Sequence, residues 1–179
     1  MRILPSEPLT FRSGSIERKL AHIIVVAGEY ALAQKVIRLY PTAVSGYTLC
    51  MAAYGGCLPL VKYLVESNLC KPHHTKVGYW YQWPYDFAAK GGHIHVMRYL
   101  HSLPKGDGGE RLKQSQTTLH FAAKRGHLDI VRMLVDERNK PVDGESFEYR
   151  KYNKPPILAA LLHGYLEIAR YSKKTYQKN

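Results

Sequence analysis

Residues 117–137 read TTLHFAAKRGHLDIVRMLVDE, and this stretch decides the fold. Its core is a pair of alanines, two variable residues, a glycine and then a second apolar run. The same order of residue types returns around Gly56 and Gly92, and weaker forms of it surround Gly28 and Gly164. From glycine to glycine, the units lie 28, 36, 34 and 38 residues apart. An internal period of this size predicts an array of stacked repeats.

The local chemistry of each unit favours two helices joined by a tight turn. Thr117 is predicted to cap a helix start, and Pro84 and Pro156 suit the first turn of a helix. Paired alanines allow helices to approach closely, and a glycine after the first helix can adopt the left-handed conformation that reverses the chain. The second helix carries a wide apolar face that one helix pair cannot bury alone, so neighbouring units must stack into a solenoid.

The start of this stretch resembles the T-P-L-H-x-A signature of the ankyrin repeat, whose period is about 33 residues. Thr117, Leu119 and His120 match the signature. Thr118 departs from it, because the family has proline at that position. Gly126 and the histidine that follows are similar to the turn of that family. The resemblance implies an all-α, ankyrin-type helix-turn-helix solenoid with extended finger loops between repeats.

The resemblance covers roughly residues 15–174 and implies five units, of which the outer ones are degenerate. Residues 1–14 are expected to form an N-terminal leader and residues 15–46 an N-terminal capping repeat. The remaining predicted units are 47–82 with an aromatic finger, 83–115, 116–153 with a long finger, and 154–179 with a basic tail. The last unit is predicted to cap a complete array, because its outer helix becomes polar at Ser172 and Lys173.

The bulk composition limits the classes of protein that this chain can be. No apolar run approaches the roughly 20 residues that span a bilayer, and the first residues lack the apolar stretch of a secretory signal. Three cysteines without framework spacing favour a reducing compartment, so we expect a cytoplasmic protein. The formal net charge of +12 favours acidic partners, although a merely solubilising charge is the alternative.

No constellation of side chains predicts catalysis, a cofactor or a bound metal. Four residues of metal-ligand type fall near one another in the sequence: Cys57, Cys70, His73 and His74. They lack the paired spacing of a zinc site, and no serine or cysteine has an identifiable base partner. His22 and His120 share a repeat position, where an imidazole is expected to bond the backbone between neighbouring loops. We therefore predict that the protein is not an enzyme.

The resemblance places the variable residues before each glycine in the concave groove of the solenoid. These predicted groove residues are Tyr54, Lys90, Lys124, Arg125 and His163. Most of them are basic or nearly basic, so we expect them to bind an acidic peptide or protein surface. The alternative is an ordinary solvated helix face.

The connector at residues 69–83 is a second candidate, because it mixes aromatic and basic side chains. Such residue types dominate the energetics of protein interfaces. Alternation along residues 77–81 predicts an extended finger or a hairpin, with Trp80, or else Tyr79 and Tyr81, exposed on it. The connector at residues 138–154 has a similar composition. Basic and aromatic side chains also grip single-stranded nucleic acid, which makes nucleic acid the second choice of partner.

The sequence therefore predicts a monomeric, non-catalytic protein-interaction module that binds an acidic protein or peptide. Binding of nucleic acid or an anionic membrane through the +12 surface is the alternative. The irregular units resemble those of proteins that intracellular bacteria deliver into host cells, and also those of eukaryotic and viral ankyrin proteins. A host-directed effector is thus the alternative to an ordinary cytoplasmic protein.

Overall fold

The computed structural model of the chain describes residues 16–72, 75–77, 80–104, 116–136 and 155–176. These residues form five successive helix pairs, which we number as repeats 1 to 5. The helices are α1 (Ile16–Ala27) and α2 (Tyr30–Leu39), α3 (Gly46–Gly55) and α4 (Leu58–Glu66), α5 (Pro84–Gly91) and α6 (Ile94–Ser102), α7 (Gln116–Arg125) and α8 (Leu128–Asp136), and α9 (Pro156–Leu162) and α10 (Leu166–Tyr176). A 3₁₀ turn, Pro41–Ala43, follows α2. The predicted all-α helix-turn-helix fold is confirmed.

The helices stack in two layers. The first helices of the repeats form the inner layer, in which α1 packs on α3, α3 on α5, α5 on α7, and α7 on α9. The second helices form the outer layer, where α2 packs on α4, α4 on α6, and α8 on α10. Each inner helix also packs on the outer helix of its own repeat. The core therefore runs along the length of the array instead of forming one central cluster.

The paired alanines account for the close spacing of the inner layer. They are completely buried in the three central repeats: Ala52, Ala53, Ala88, Ala89, Ala122 and Ala123. The outer helices supply the larger side chains, and Leu64, Leu100 and Leu134 are also completely buried. Burial of such a side chain stabilises the fold by about 1.5–3 kcal/mol. Small side chains on the inner helices and large side chains on the outer helices thus fill the interfaces between neighbouring repeats.

The turn of every repeat depends on glycine. The φ angles of Gly28, Gly56, Gly92, Gly126 and Gly164 all lie between 75° and 84°, in the left-handed region. A residue with a Cβ atom pays about 1–2 kcal/mol to adopt that conformation. The prediction of a left-handed glycine after each inner helix is therefore confirmed.

Two of the predicted helix starts can be checked, since Pro84 and Pro156 begin α5 and α9 as predicted. The side chain of Thr117 is not described, so its capping role stays a prediction. A capping box that the sequence analysis missed begins α3, where the backbone N–H of Ser45 donates to Thr48 Oγ1 at 3.0 Å.

The finger between repeats 2 and 3 is a hairpin. Strand β1 (Thr75–Val77) pairs antiparallel with β2 (Trp80–Gln82), and Val77 lies opposite Trp80. Strand β1 also contacts α3, so the hairpin is attached to the second repeat. This confirms the predicted extended finger. The connectors at residues 105–115 and 137–154 lie outside the described residues.

Candidate functional site

A cluster of aromatic side chains around one lysine occupies the inner helices of repeats 2 to 4. Lys90 Nζ lies 5.9 Å from the ring centroid of Phe87 and 5.6 Å from that of Phe121. The Phe87 ring in turn meets those of Tyr47 and Tyr54 edge to face, with centroids 6.0 and 6.5 Å apart. All five side chains except that of Tyr47 lie within five positions of a turn glycine. We call these five residues the aromatic–lysine cluster.

Two of the predicted groove residues, Tyr54 and Lys90, belong to this cluster, and both are half-buried. Lys124 and Arg125 are exposed on α7. They follow Phe121 by three and four positions, which places them on the same helix face as that ring. His163 is exposed at the C-terminal end of α9, one repeat further along the array. The structure thus brings four of the predicted groove residues together and leaves His163 apart from them.

Neither phenylalanine of the cluster was predicted from the sequence. Phe87 and Phe121 are each five positions before a turn glycine, whereas the prediction considered only the residues directly before it. A signal was present, because the same residue type stands at the same position of two neighbouring repeats. Their rings matter because an ammonium group is attracted to the face of an aromatic ring by about 0.5–1 kcal/mol at exposed sites.

Acidic residues are rare in the inner helices of repeats 2 to 5. Asp86 is the one acidic residue in the sequence of α3, α5, α7 and α9. Its side chain is buried between repeats 3 and 4, where it accepts a hydrogen bond from Thr118 Oγ1. Asp86 therefore faces the neighbouring repeat.

The turns beside the cluster are locked by rings from the following repeat. A Cβ atom added to Gly92 would lie 2.7 Å from His127 Cε1, and Gly56 and Gly126 lie similarly under the rings of His93 and Tyr165. His127 Nε2 donates to the carbonyl oxygen of Lys90 at 3.2 Å. Burial lowers the pKa of this imidazole. The backbone that carries Lys90 is therefore held by a side chain of repeat 4.

His22 contacts a side chain of the next repeat, since its Nε2 lies 3.3 Å from Thr48 Oγ1. The predicted bond from the inner-helix histidines to the backbone stays a prediction. Thr48 and Thr118 share the repeat position where the family has proline, and each bonds a polar side chain of the preceding repeat. His120 is buried as well. These polar pairs explain where the chain departs from the T-P-L-H-x-A signature.

The aromatic finger can be placed only in part. The backbone of Trp80 and Tyr81 lies in β2, whereas their side chains are not described. Tyr79 lies outside the described residues. The exposure of these aromatic rings therefore stays a prediction.

The cysteines and histidines give no sign of a reactive centre in the described part of the chain. No group of three or more His, Cys, Asp and Glu side chains is arranged there to hold a metal, and His73 and His74 lie outside it. Burial raises the pKa of the Cys70 thiol to about 11, and it raises the pKa of Cys50 as well. A buried, protonated thiol is a poor nucleophile. Within the described ranges, every helix is too short or too polar to cross a membrane.

Comparison with known proteins agrees with this geometry. A family model described as ankyrin repeats, in three copies, matches residues 85–171, which cover most of repeats 3 to 5. The ankyrin repeat and KH domain-containing protein mask-1 of Caenorhabditis elegans is 27% identical over 154 residues. The match covers 69% of this chain but 6% of that protein, so the chain spans a small fraction of its relative.

Proposed function

Because the chain belongs to the ankyrin repeat family, we propose that it is a non-catalytic interaction module that binds an acidic protein segment in its groove. Members of this family generally mediate protein–protein interaction and are typically not enzymes. The partner and its acidity are the specific parts of the proposal. They rest on the chemistry of the inner helices.

The observation that carries the proposal is the position of Lys90 over two phenylalanine rings. Its ammonium group is 5.6 and 5.9 Å from the two ring centroids, and exposed Lys124 and Arg125 extend the positive surface along α7. A carboxylate can meet these cations while a neighbouring apolar side chain packs on the rings. Arginine also accepts a carboxylate through two parallel hydrogen bonds. We therefore expect a partner segment in which an acidic residue is adjacent to an apolar one.

Preorganisation supports this proposal. The turn below Lys90 is fixed by the hydrogen bond from His127, and the cluster spans three repeats that stack through buried alanines. A surface that is already ordered loses less conformational entropy when a partner binds. The hairpin offers a second contact, and we propose that Tyr79, Trp80 and Tyr81 supply aromatic anchors beside the groove, with His163 at its far end.

A charge-matched pair of variants tests the groove. The groove variant replaces Lys90, Lys124 and Arg125 by glutamine, and the control replaces Lys35, Arg38 and Lys62, which carry the same charge on the outer helices α2 and α4. The probe is a fluorescein-labelled peptide of alternating glutamate and leucine, followed by anisotropy. We expect the groove variant to weaken binding by about tenfold or more, whereas the control changes it little.

Two results would contradict the proposal. Equal weakening by both variants would show that only the net charge matters. Tighter binding of a single-stranded oligonucleotide or of anionic vesicles, with an affinity that falls steeply with salt, would favour the alternative function on nucleic acid or membranes.

We also place the protein in the cytoplasm or another reducing compartment. Cys50, Cys57 and Cys70 carry free thiols, and such thiols persist where glutathione and thioredoxin keep them reduced. The alternative location is a host cell into which a bacterium delivers the chain as an effector. Alkylation in intact source cells, followed by mass spectrometry, should find these thiols reduced. A disulfide in that experiment would argue against a reducing compartment.

A further inference from the structure

A tyrosine closes the interface between the outer helices of repeats 2 and 3. Lys62 Nζ lies 5.6 Å from the ring centroid of Tyr99, and the Tyr99 hydroxyl donates to Glu66 Oε1 at 3.3 Å. Lys62 and Glu66 are four residues apart, so they share one face of α4, whereas Tyr99 belongs to α6. We call this arrangement of a cation, an acid and a tyrosine from the next repeat the tyrosine clip.

A second tyrosine clip closes the interface between repeats 4 and 5. Arg132 Cζ lies 5.7 Å from the ring centroid of Tyr171, and the Tyr171 hydroxyl donates to Asp136. Arg132 and Asp136 lie on α8 at the repeat positions that Lys62 and Glu66 occupy on α4. The cation and the acid differ between the two clips, so the tyrosine is the component that they share.

The interface between repeats 3 and 4 lies between these two and keeps only one component of the clip. Met133 stands where the other two interfaces have Tyr99 and Tyr171. Ser102 stands at the position of the acid, and its hydroxyl donates to the carbonyl oxygen of Tyr99 at 2.8 Å. The cation is retained as Arg98. This interface therefore has a cation at the clip position but neither the tyrosine nor the acid.

A cleft opens at this interface, between α6 and α8. Its volume is about 170 Å³, and it is lined by Ile94, Arg98, Asp129, Arg132, Met133 and Asp136. A protein cavity of about 150 Å³ holds a benzene molecule, so this cleft has room for an aromatic ring. Met133 is buried and Ile94 is half-buried, whereas the four charged residues are exposed. The cleft thus combines an apolar floor with charged groups of both signs around it.

We propose that this cleft binds a tyrosine side chain of a partner protein, which completes the third tyrosine clip. Arg98 occupies the repeat position of Lys62 and Arg132, so it is the cation that packs on the partner's ring. Asp129 lines the cleft and offers the carboxylate for the hydroxyl, in place of an acid at Ser102. Tyrosine is also a residue type that fills pockets at the energetic centres of protein interfaces.

The charges of the cleft favour tyrosine over other occupants. A leucine side chain would pack on Met133 but would leave the cation and the carboxylates without a partner. A phosphotyrosine would bring its phosphate close to Asp129 and Asp136, and like charges at an interface repel each other. The cleft is formed by outer helices, so the proposal is independent of the groove and of the acidic segment proposed to bind there.

An NMR titration of the isotopically labelled full chain tests the proposal. The probe is an uncharged, end-capped peptide that contains one tyrosine between glycines. We expect saturable shifts of backbone amides in α6 and α8. The same peptide with leucine or with phosphotyrosine in place of tyrosine should bind more weakly, by about threefold or more.

The sharpest variant is Met133→Tyr, because it supplies within the chain the ring that the partner supplies. Tyrosine already stands at this repeat position in three other repeats, as Tyr63, Tyr99 and Tyr171. We expect Met133→Tyr to weaken binding of the tyrosine peptide by about tenfold or more. Arg98→Gln should weaken it by about threefold. Arg170→Gln is the matched control and should leave binding unchanged, since Arg170 is exposed at the same position of repeat 5 and outside the cleft.

Four outcomes would overturn the tyrosine site. These are the absence of saturable shifts in α6 and α8, equal binding of the leucine peptide, tighter binding of the phosphotyrosine peptide, and equal effects of Arg98→Gln and Arg170→Gln. Circular dichroism checks that each variant remains folded, and the two arginine variants decide the matter if Met133→Tyr does not fold. The groove variant should still bind the tyrosine peptide, so failure of one proposal is distinguishable from failure of the other.

Discussion

The turns in the middle of the array and those at its ends have the same backbone but different surroundings. Gly56, Gly92 and Gly126 each lie under a ring of the following repeat, whereas Gly28 and Gly164 have open space on that side. All five have φ near 80° (75° to 84°), so the turn itself forms without the ring. Each repeat therefore forms its turn by itself, whereas the ring that covers a turn comes from the following repeat.

The strongest way to break this comparison is to place the leucine of repeat 5 at the equivalent, buried position of repeat 3. Ala89→Leu puts a branched side chain where the inner helices leave no space, since Ala89 is completely buried. Overpacking of this kind costs about 1–3 kcal/mol, and we expect the upper end of that range. The reverse change, Leu161→Ala, should alter the unfolding free energy of the monomer little. Urea unfolding measures both; effects of similar size would mean that burial by the neighbouring repeat does not distinguish the two positions.

Alanine substitutions at the turn glycines separate the cost of backbone strain from the cost of displacing a covering ring. In Gly28→Ala, strain alone should destabilise the fold by about 1–2 kcal/mol. In Gly92→Ala the new methyl group must also displace His127, whose Cε1 would lie 2.7 Å away. We therefore expect a larger loss in Gly92→Ala, and that loss should shrink in a His127→Ala background. Equal losses in the two glycine variants would show that the ring contributes nothing to packing.

At the interface between repeats 3 and 4, Thr118 stands where the family has proline and donates a hydrogen bond to the buried Asp86. Thr118→Val keeps the shape of the side chain but leaves the buried Asp86 carboxylate without this donor. The expected destabilisation is about 2 kcal/mol, because hydrogen bonds to charged groups contribute about 1.5–3 kcal/mol. Thr48→Val, which removes the 3.3 Å contact to His22, is the matched variant and should have a smaller effect. Thermal unfolding compares them, and a larger effect in Thr48→Val would reverse this ranking.

The smallest expected effect is a pH dependence at the covered turn of Gly92. Burial is the main cause that lowers the pKa of His127, and the nearby charge of Arg125 adds to it, while the bond to the Lys90 carbonyl opposes it. The unfolded chain therefore binds a proton more readily, so stability is lost as the pH falls from the ordinary histidine value of about 6.5 toward the lowered one. The melting temperature of His127→Gln should fall less than that of the wild type over this pH interval. An identical pH profile in both proteins would contradict the lowered pKa.

Much of this architecture was predictable because its causes are local. The alanine pairs, the glycines and the prolines act on their own stretch of backbone, so the helix order and the left-handed turns follow from the sequence. The hairpin was predictable from the alternation along residues 77–81.

The candidate site was less predictable because it is assembled from different repeats. Lys90 was identified from its place before a glycine, yet its two aromatic partners come from α5 and α7 and were missed. In the sequence, Thr118 departs from the family pattern, and only the structure shows that it donates a hydrogen bond to Asp86. Contacts between residues 31 or 32 positions apart leave little trace in a single sequence.

The sequence by itself determined the period, the helix pairs and the glycine turns, because backbone preference and the spacing of apolar residues decide these within one repeat. Only the tertiary structure decided which of those residues are covered. Val25 and Leu161 occupy the same repeat position, but one is completely buried and the other is 48% exposed. The physical reason is that burial requires a neighbour: repeat 2 packs against Val25, whereas no described helix follows repeat 5 to cover Leu161.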